Sequence, residues 1–394
     1  MRIKARSLVV LSAVLVALVA VELPMRAVGV AEAAQTNAPK ARATAVEVTV
    51  VAGGLANPWA LQFLPDGRML VSEREGQLRI VTPDGQISAP IAGVPAVHAV
   101  RQGGLLDVRL ANDFATSGTI FISYSEPRRV GTSATAVARG RLVLDPSNAS
   151  GRIEDLKVIF QQNPEQSTSH HYGSRIVIAS DGTLFVTTGD RGNGDLAQDP
   201  STTIGKVIHI NPDGSVPANN PKPSGWAPEI WSIGHRNLQG AVVDPKSGRL
   251  WTVEHGARGG DELNHPEAGK NYGWPVVSYG RNYSGTKIGV GTAKAGMEQP
   301  VYYWDPSIAV SGLAFYDGAL FPSWKGNLLV GGLAGAQLTR LVLDNGAVVS
   351  REVLLADRGD RVRDVRVGPD GAVYLLTDDS DGQILKLRPK GSRN

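Results

Sequence analysis

Several short segments carry residue types that could act on a small molecule. "HHYGSR" sets His171 ahead of Gly173, Ser174 and Arg175. A neutral imidazole exchanges protons near pH 7, so His171 is a candidate general base; the plainer alternative is a surface or core histidine. "IWSIGHRNLQG" places Arg236 and Asn237 side by side before an apolar strand. A fixed guanidinium and amide suit an anionic or carbonyl-bearing ligand, and a turn with a surface arginine would look the same. "DRGDRVRDV" sets Arg361 and Arg363 two residues apart. In a strand that spacing aims both cations one way, with a solvated charged strand as the competing reading. "RQGGLLDV" offers Gln102, and "YYWDPSIAVSG" offers Trp304, which could stack on a planar ligand or pack in a core.

The richest segment is "VEHGARGGDELNHPEAGKNYGWP". Gly256, Gly259 and Gly260 permit backbone shapes closed to other residues, and Asp261 and Glu262 add carboxylates. Exposed carbonyls with carboxylates are hard oxygen ligands that suit Ca²⁺; a turn rich in glycine and acid is the alternative. The Gly-Lys-Ser/Thr ending of a phosphate-binding loop is missing. "GDRGNGD" is also rich in oxygen but lacks EF-hand spacing and reads as a turn.

These residues need a frame, and a repeat supplies one. A turn of Asp, Asn and Gly, then a short alternating strand, recurs as "LPDGRMLVSEREGQLRIV", "ATSGTIFISYSE", "ASDGTLFVTTGDRG", "DPKSGRLWTVEHG", "SWKGNLLVGGLAGAQLTRLVLD" and "GPDGAVYLLTDDSDGQILKLRP". With Leu70, Ile120, Leu184, Leu250, Leu328 and Val373 as equivalent positions, the gaps are 50, 64, 66, 78 and 45 residues. Each unit is a small antiparallel sheet that cannot bury both faces alone, and radial packing of the units does so. The chain is therefore expected to be all-β, a six-bladed β-propeller of four-stranded antiparallel blades. "VEVTVVA" at the start is expected to complete the last blade and latch the ring. The variable gaps argue against a β-helix. The candidate residues sit just before repeat strands or in the long insertions, where the loops at one mouth of a propeller's channel would gather them.

Composition agrees with a globular, turn-rich chain: 394 residues, 42% hydrophobic, with 46 Gly and 24 Pro. Residues 1–33 read as a signal peptide, with basic Arg2, Lys4 and Arg6, an apolar run over 8–21 and small residues at 31–33. A membrane anchor needs about 20 apolar residues, and Glu22, Pro24 and Arg26 interrupt this one. Residues 34–44 are expected to be a disordered spacer and 45–390 the propeller. A periplasmic or secreted location follows from this reading, with no membrane insertion after cleavage. Without the leader the net charge falls from +3 to +1, which gives no reason to expect nucleic acid. No cysteine is present, so no disulfide supports the fold.

In combination, "GLANPWALQFLPDGRMLVSER", "GHRNLQG", "GGDELN" and "NYGWP" resemble the soluble pyrroloquinoline quinone (PQQ)-dependent sugar dehydrogenases of the glucose/sorbosone dehydrogenase family, over about residues 46–388. That resemblance implies a secreted six-bladed propeller that oxidises aldoses at the anomeric carbon to lactones, using PQQ and Ca²⁺. It implies that His171 is the base for the anomeric hydroxyl, with hydride passing to the cofactor. It implies that Arg236 and Asn237 contact the quinone oxygens, and that Gln102 lies beside the sugar. Arg361 and Arg363 would bind cofactor carboxylates, and Trp304 would form an aromatic wall. The carbonyls of Gly256 and Ala257 would hold Ca²⁺ as a Lewis acid. The partners implied are a sugar and a separate electron acceptor, since no C-x-x-C-H haem motif is present; the chain is expected to be a monomer or weak homodimer. Departures from the family pattern are Ala334 where a lysine is usual, His170 where an Asp is usual, and Ala257 for Pro. A non-catalytic sugar- or protein-binding propeller and a Ca²⁺-dependent lactonase are the competing functions.

Overall fold

The computed structural model describes residues 35–145 and 150–392; the expected signal peptide at 1–33 lies outside them. The repeat resolves into six antiparallel sheets. Strand β1 (Val46–Leu55) comes first. Blade 1 holds β2 (Pro58–Phe63), β3 (Met69–Glu73) and β4 (Gln77–Val81), and blade 2 holds β5 (Leu105–Leu110), β6 (Thr119–Pro127), β7 (Ser133–Leu144) and β8 (Gly151–Gln161). Blade 3 holds β9 (Gly173–Ile178), β10 (Leu184–Thr188), β11 (Lys206–Ile210) and β12 (Ile230–Ile233). Blade 4 holds β13 (Leu238–Val243), β14 (Leu250–Glu254), β15 (Asp261–Asn264) and β16 (Tyr302–Trp304). Blade 5 holds β17 (Val310–Phe315), β18 (Leu328–Gly332), β19 (Gln337–Asp344) and β20 (Ala347–Leu354). Blade 6 holds β21 (Val362–Val367), β22 (Val373–Thr377) and β23 (Gly382–Pro389), and β1 completes it by pairing antiparallel with β23 from Val46–Pro389 to Leu55–Gly382. The expected latch is thus present.

The first strands of the blades touch in a closed circuit, β2–β5–β9–β13–β17–β21 and back to β2. They line the central axis. One apolar cluster fills each of the six blade interfaces. The period of two explains how: on β22, Val373 and Leu375 face blade 5, while Tyr374 and Leu376 face blade 1. Every strand of this kind is buried on both sides, which is why the repeats carry few polar residues at their centres.

Two details differ from expectation. Blade 1 has three regular strands. Residues 87–91 take the fourth place irregularly, with Ser88 N–H on Ile80 O (2.8 Å) and Ile91 N–H on Leu78 O (2.8 Å). Pro90 lacks the N–H that a regular ladder would use. The segment expected to be a disordered spacer is also ordered from residue 35. Tyr303 N–H donates to Gln35 O (3.1 Å), Ala41 N–H to Arg351 O (2.7 Å), and Arg351 N–H to Pro39 O (2.8 Å). The segment covers the outer edges of blades 4 and 5, with Ala38 buried in their interface.

Thr44, at its end, accepts from Trp324 Nε1 (3.1 Å). Trp324 is fully buried and stacks on Phe321 at 4.0 Å between ring centres. Trp324→Ala is expected to cost about 3–5 kcal/mol, read as a lower urea midpoint at unchanged slope.

Candidate active site

A cavity of about 280 Å³ lies on the axis, and all six blades contribute to its lining. Trp59 comes from blade 1, Gln102 from the loop into blade 2, and Tyr172 and Gly173 from the start of blade 3. Asn237, Gln239 and His255 come from blade 4, Leu333 from blade 5, and Arg361, Arg363 and Asp378 from blade 6. Most of these precede or begin the innermost strands, so the cavity sits at the mouth where those strands start.

His171 stands at its edge, beside the lining residues Tyr172 and Gly173. Its backbone is left-handed (φ 52°), a region that non-glycine residues enter only when neighbours hold them there. Gln102 Oε1 accepts from His171 N–H (2.7 Å), and His171 Nδ1 lies 2.6 Å from Asp190 Oδ1. A Cβ on Gly189 would sit 1.9 Å from His171 O, so glycine is required for this approach. Asp190 Oδ1 also accepts from Gly192 N–H (2.8 Å), and Oδ2 from Trp274 Nε1 (2.8 Å). Burial raises the Asp190 pKa, but the His171 hydrogen bond and charge and the Gly192 N–H outweigh it and hold it below the usual carboxylate value. An ionised Asp190 takes the Nδ1 proton of His171 as its hydrogen bond and leaves Nε2 free to accept one.

Arg191 anchors this loop from behind. It is fully buried, donates to His170 O (2.9 Å), Ser133 O (3.0 Å) and Thr168 O, and lies 3.8 Å over the Tyr172 ring. The sequence reading treated "GDRGNGD" as a turn and so missed both Asp190 and Arg191. Their signal is weak: an acid and a base directly after a repeat strand, in the loop facing His171.

The remaining candidates divide. Asn237 Oδ1 accepts from Gly173 N–H (3.2 Å), tying blade 4 to blade 3. His255 was also missed. Burial and the Arg236 charge hold its pKa down to about 3, so its ring is neutral, with Nε2 donating to Val310 O (2.7 Å). Arg361 and Arg363 both reach Asp378 Oδ2, at 2.8 and 3.2 Å, as their spacing predicts. Arg74 also lines the cavity, so three guanidiniums face one carboxylate. Arg363 Nε is buried without a hydrogen-bond partner. This surplus of donors and positive charge, beside the Trp59 ring, fits a planar polyanion.

Arg236 does not line the cavity. Its Nη1 donates to Gly256 O (2.5 Å), and its guanidinium lies 5.2 Å from the Trp274 ring centre. The Gly256 carbonyl thus accepts from a cationic side chain. Neither Gly256 nor Ala257 lines the cavity. Among the described residues no group of three or more His, Cys, Asp or Glu is placed to hold a metal. Trp304 is no cavity wall: it lies on β16, the outermost strand of blade 4, buried edge-on against Tyr302 at 4.9 Å. The aromatic surface is supplied by Trp59 and Tyr172 instead. Ala334 is exposed beside the lining residue Leu333.

Asp378 gives a pH test of this cluster. Burial pushes its pKa up, but Arg363 and Arg361 outweigh that and bring it from 3.8 to about 2. Because the folded pKa is depressed, its contribution is present above pH 3.8 and is lost as pH falls through about 2. That contribution is roughly 2 kcal/mol, at about 1.4 kcal/mol per pKa unit. Urea unfolding between pH 4 and 2 should lose stability less steeply for Asp378→Asn than for the parent.

A sequence profile described as Glucose / Sorbosone dehydrogenase matches residues 55–386. The chain belongs to this family. Among its relatives, aldose sugar dehydrogenase YliI of Escherichia coli (strain K12) is 46% identical, over 88% of this chain and 93% of that protein. Quinoprotein glucose dehydrogenase B of Acinetobacter calcoaceticus is 26% identical, over 88% of each chain. The PQQ-bound aldose sugar dehydrogenase of Streptomyces coelicolor superposes with a TM-score of 0.72 at 29% identity, covering 88% of this chain and 99% of that one. Family membership agrees with the six-bladed ring and with the resemblance drawn from the sequence motifs. No described helix is long and apolar enough to cross a membrane.

Proposed function

We propose that this protein is an exported sugar dehydrogenase that oxidises aldoses at the anomeric carbon to lactones, with PQQ bound in the axial cavity. The observation that carries the reading is the His171–Asp190 pair at the edge of a cavity lined by Arg74, Arg361 and Arg363. When bound, PQQ would supply an ortho-quinone that accepts two electrons in the form of a hydride.

The chain's own residues do the rest. Asp190 holds the Nδ1 proton, so His171 Nε2 takes the proton of the anomeric hydroxyl as the C–H bond breaks. Gln102 fixes the His171 backbone and lines the same cavity. Asn237 and the neutral His255 present fixed polar groups to the cofactor. Arg361 and Arg363 hold its carboxylates, and the Trp59 and Tyr172 rings offer faces for stacking. Arg236 acts from below, keeping Trp274 and the loop of Gly256 in place. A separate acceptor would take up the two electrons, since the chain carries no C-x-x-C-H haem motif. Ca²⁺ is implied by the family resemblance alone.

Reconstitution tests the reading. Protein starting at Ala34 would be loaded with PQQ, with Ca²⁺ or chelator, and offered a panel of aldoses with a reducible dye. Sugar-dependent dye reduction that requires PQQ is the expected result, and the chelator arm reports whether Ca²⁺ is needed. Absence of both PQQ uptake and turnover would leave a non-catalytic binding propeller as the reading.

A further inference from the structure

The innermost strands run away from the cofactor cavity, and at their far ends lies a second one of about 530 Å³. It is lined by Gln62 and Phe63 at the end of β2, Arg109 near the end of β5, and the turns after β17 and β21. Arg109 and Arg366 bring two guanidiniums to this rear mouth.

Behind them the channel is charged but not balanced. Asp107 is fully buried and lies 3.5 Å from Arg109, 3.4 Å from Arg175 and 3.6 Å from Arg366. Asp364, also buried, lies 3.1 Å from Arg175 and 3.0 Å from Arg366. Three guanidiniums thus share two carboxylates, which leaves one positive charge without a counter-ion. Arg366 is 9% exposed, and its Nη2 has no hydrogen-bond partner. Arg109 uses only Nε in hydrogen bonding, to Ile176 O (2.9 Å), so its two terminal nitrogens have no hydrogen-bond partner among the described residues. Burial and the nearby Arg109 charge push the Arg366 pKa down to about 9, so the pair is crowded as it stands. An unbalanced buried charge with spare donors favours an anion with several acceptor oxygens.

Two carboxylates also reach this mouth. Asp370 is neutralised by Lys386 at 2.7 Å and bonded by the Tyr374 hydroxyl at 3.1 Å. Asp317 is exposed on the rim and would repel an anion weakly through solvent. Ala319 N–H, also on the rim, donates no hydrogen bond among the described residues.

We propose that the rear mouth of the propeller is an oxyanion site, in which Arg109 and Arg366 bind a phosphate group, free or as a monoester. The site is separate from the cofactor cavity and does not depend on the sugar-oxidation reading.

Titration with inorganic phosphate tests it, at constant ionic strength held with chloride and with the cofactor cavity saturated by PQQ. Calorimetry should show one saturable site, and the melting temperature should rise with phosphate but not with added chloride. Arg109→Gln should weaken binding at least tenfold while the protein still melts cooperatively. Asp317→Asn should tighten it severalfold by removing the neighbouring negative charge. Glycerol phosphate in place of phosphate should compete for the same site if the cavity admits a monoester, and failure to compete restricts the occupant to the free ion. Absence of saturable binding would overturn the proposal, as would unchanged affinity in Arg109→Gln or displacement of phosphate by PQQ.

Discussion

His171→Gln is expected to lower turnover of the PQQ-loaded protein by about 10²- to 10⁴-fold, the range a positioned general base contributes. Cofactor affinity should stay nearly unchanged, because His171 stands at the edge of the cavity and does not hold the polyanion. Asp190→Asn is the sharper companion. The amide can still meet the His171 ring, but it no longer supplies an ionised acceptor for the Nδ1 proton. The imidazole then loses the partner that keeps Nε2 free, and the nearby Trp274 Nε1 contact at 2.8 Å loses its charge. A large loss in kcat with little change in PQQ uptake is expected, together with a shifted pH profile. Asp190 is buried, so a melting curve must accompany each assay. If Asp190→Asn folds and turns over at the parent rate with an unchanged profile, the orienting role is wrong. If His171→Gln does so, the base lies elsewhere.

The second large effect separates two arginines that the sequence sets side by side. The Arg361 side chain is 50% exposed and that of Arg363 is 10% exposed. An exposed ion pair is worth about 0–1 kcal/mol, whereas a buried charge–charge hydrogen bond costs about 2–5 kcal/mol when one partner is removed. Arg363→Ala should therefore weaken PQQ binding on the order of 10²- to 10³-fold, and Arg361→Ala by less than about tenfold. An absorbance titration with PQQ reads both. Arg363 also braces Gln239 through Nη1 (3.1 Å) and shares Asp378, so part of its loss will appear as lower stability. Equal losses at the two positions would mean that the cofactor carboxylates lie towards the solvent side of the cavity.

The ring itself was legible because its signals are local. A turn and an alternating strand recur six times, and the spare strand at residue 46 has one unpaired blade to join. His171, Gln102, Asn237, Arg361 and Arg363 were legible for a related reason: each precedes or begins an innermost strand, so the topology gathers them on the axis. Trp304 went astray because a short motif does not say that its strand will be the outermost of four. Asp190 was missed because its partner lies across a loop and nothing about "GDRGNGD" marks the contact. The contact of Arg236 with the Gly256 carbonyl spans 20 residues, and neither motif marks it. Residues 35–44 read as disordered by composition, yet small side chains and a pairing-competent backbone suit the bare edges of blades 4 and 5.

The β1–β23 pairing has a consequence for how the molecule comes into being. Blade 6 draws one strand from the start of the folded chain and three from its end, with Leu55 opposite Gly382. A nascent chain can form blades 2 to 5 in order, but β1 must wait for nearly the whole polypeptide before it finds its neighbour. Such long-range pairing is slow to close. Until it does, the flanks of blades 1 and 6 remain sticky edges, vulnerable to a second chain. A chain without β1 would leave the outer edge of β23 bare, and a stop before residue 382 would remove β23 and leave β1 with no partner.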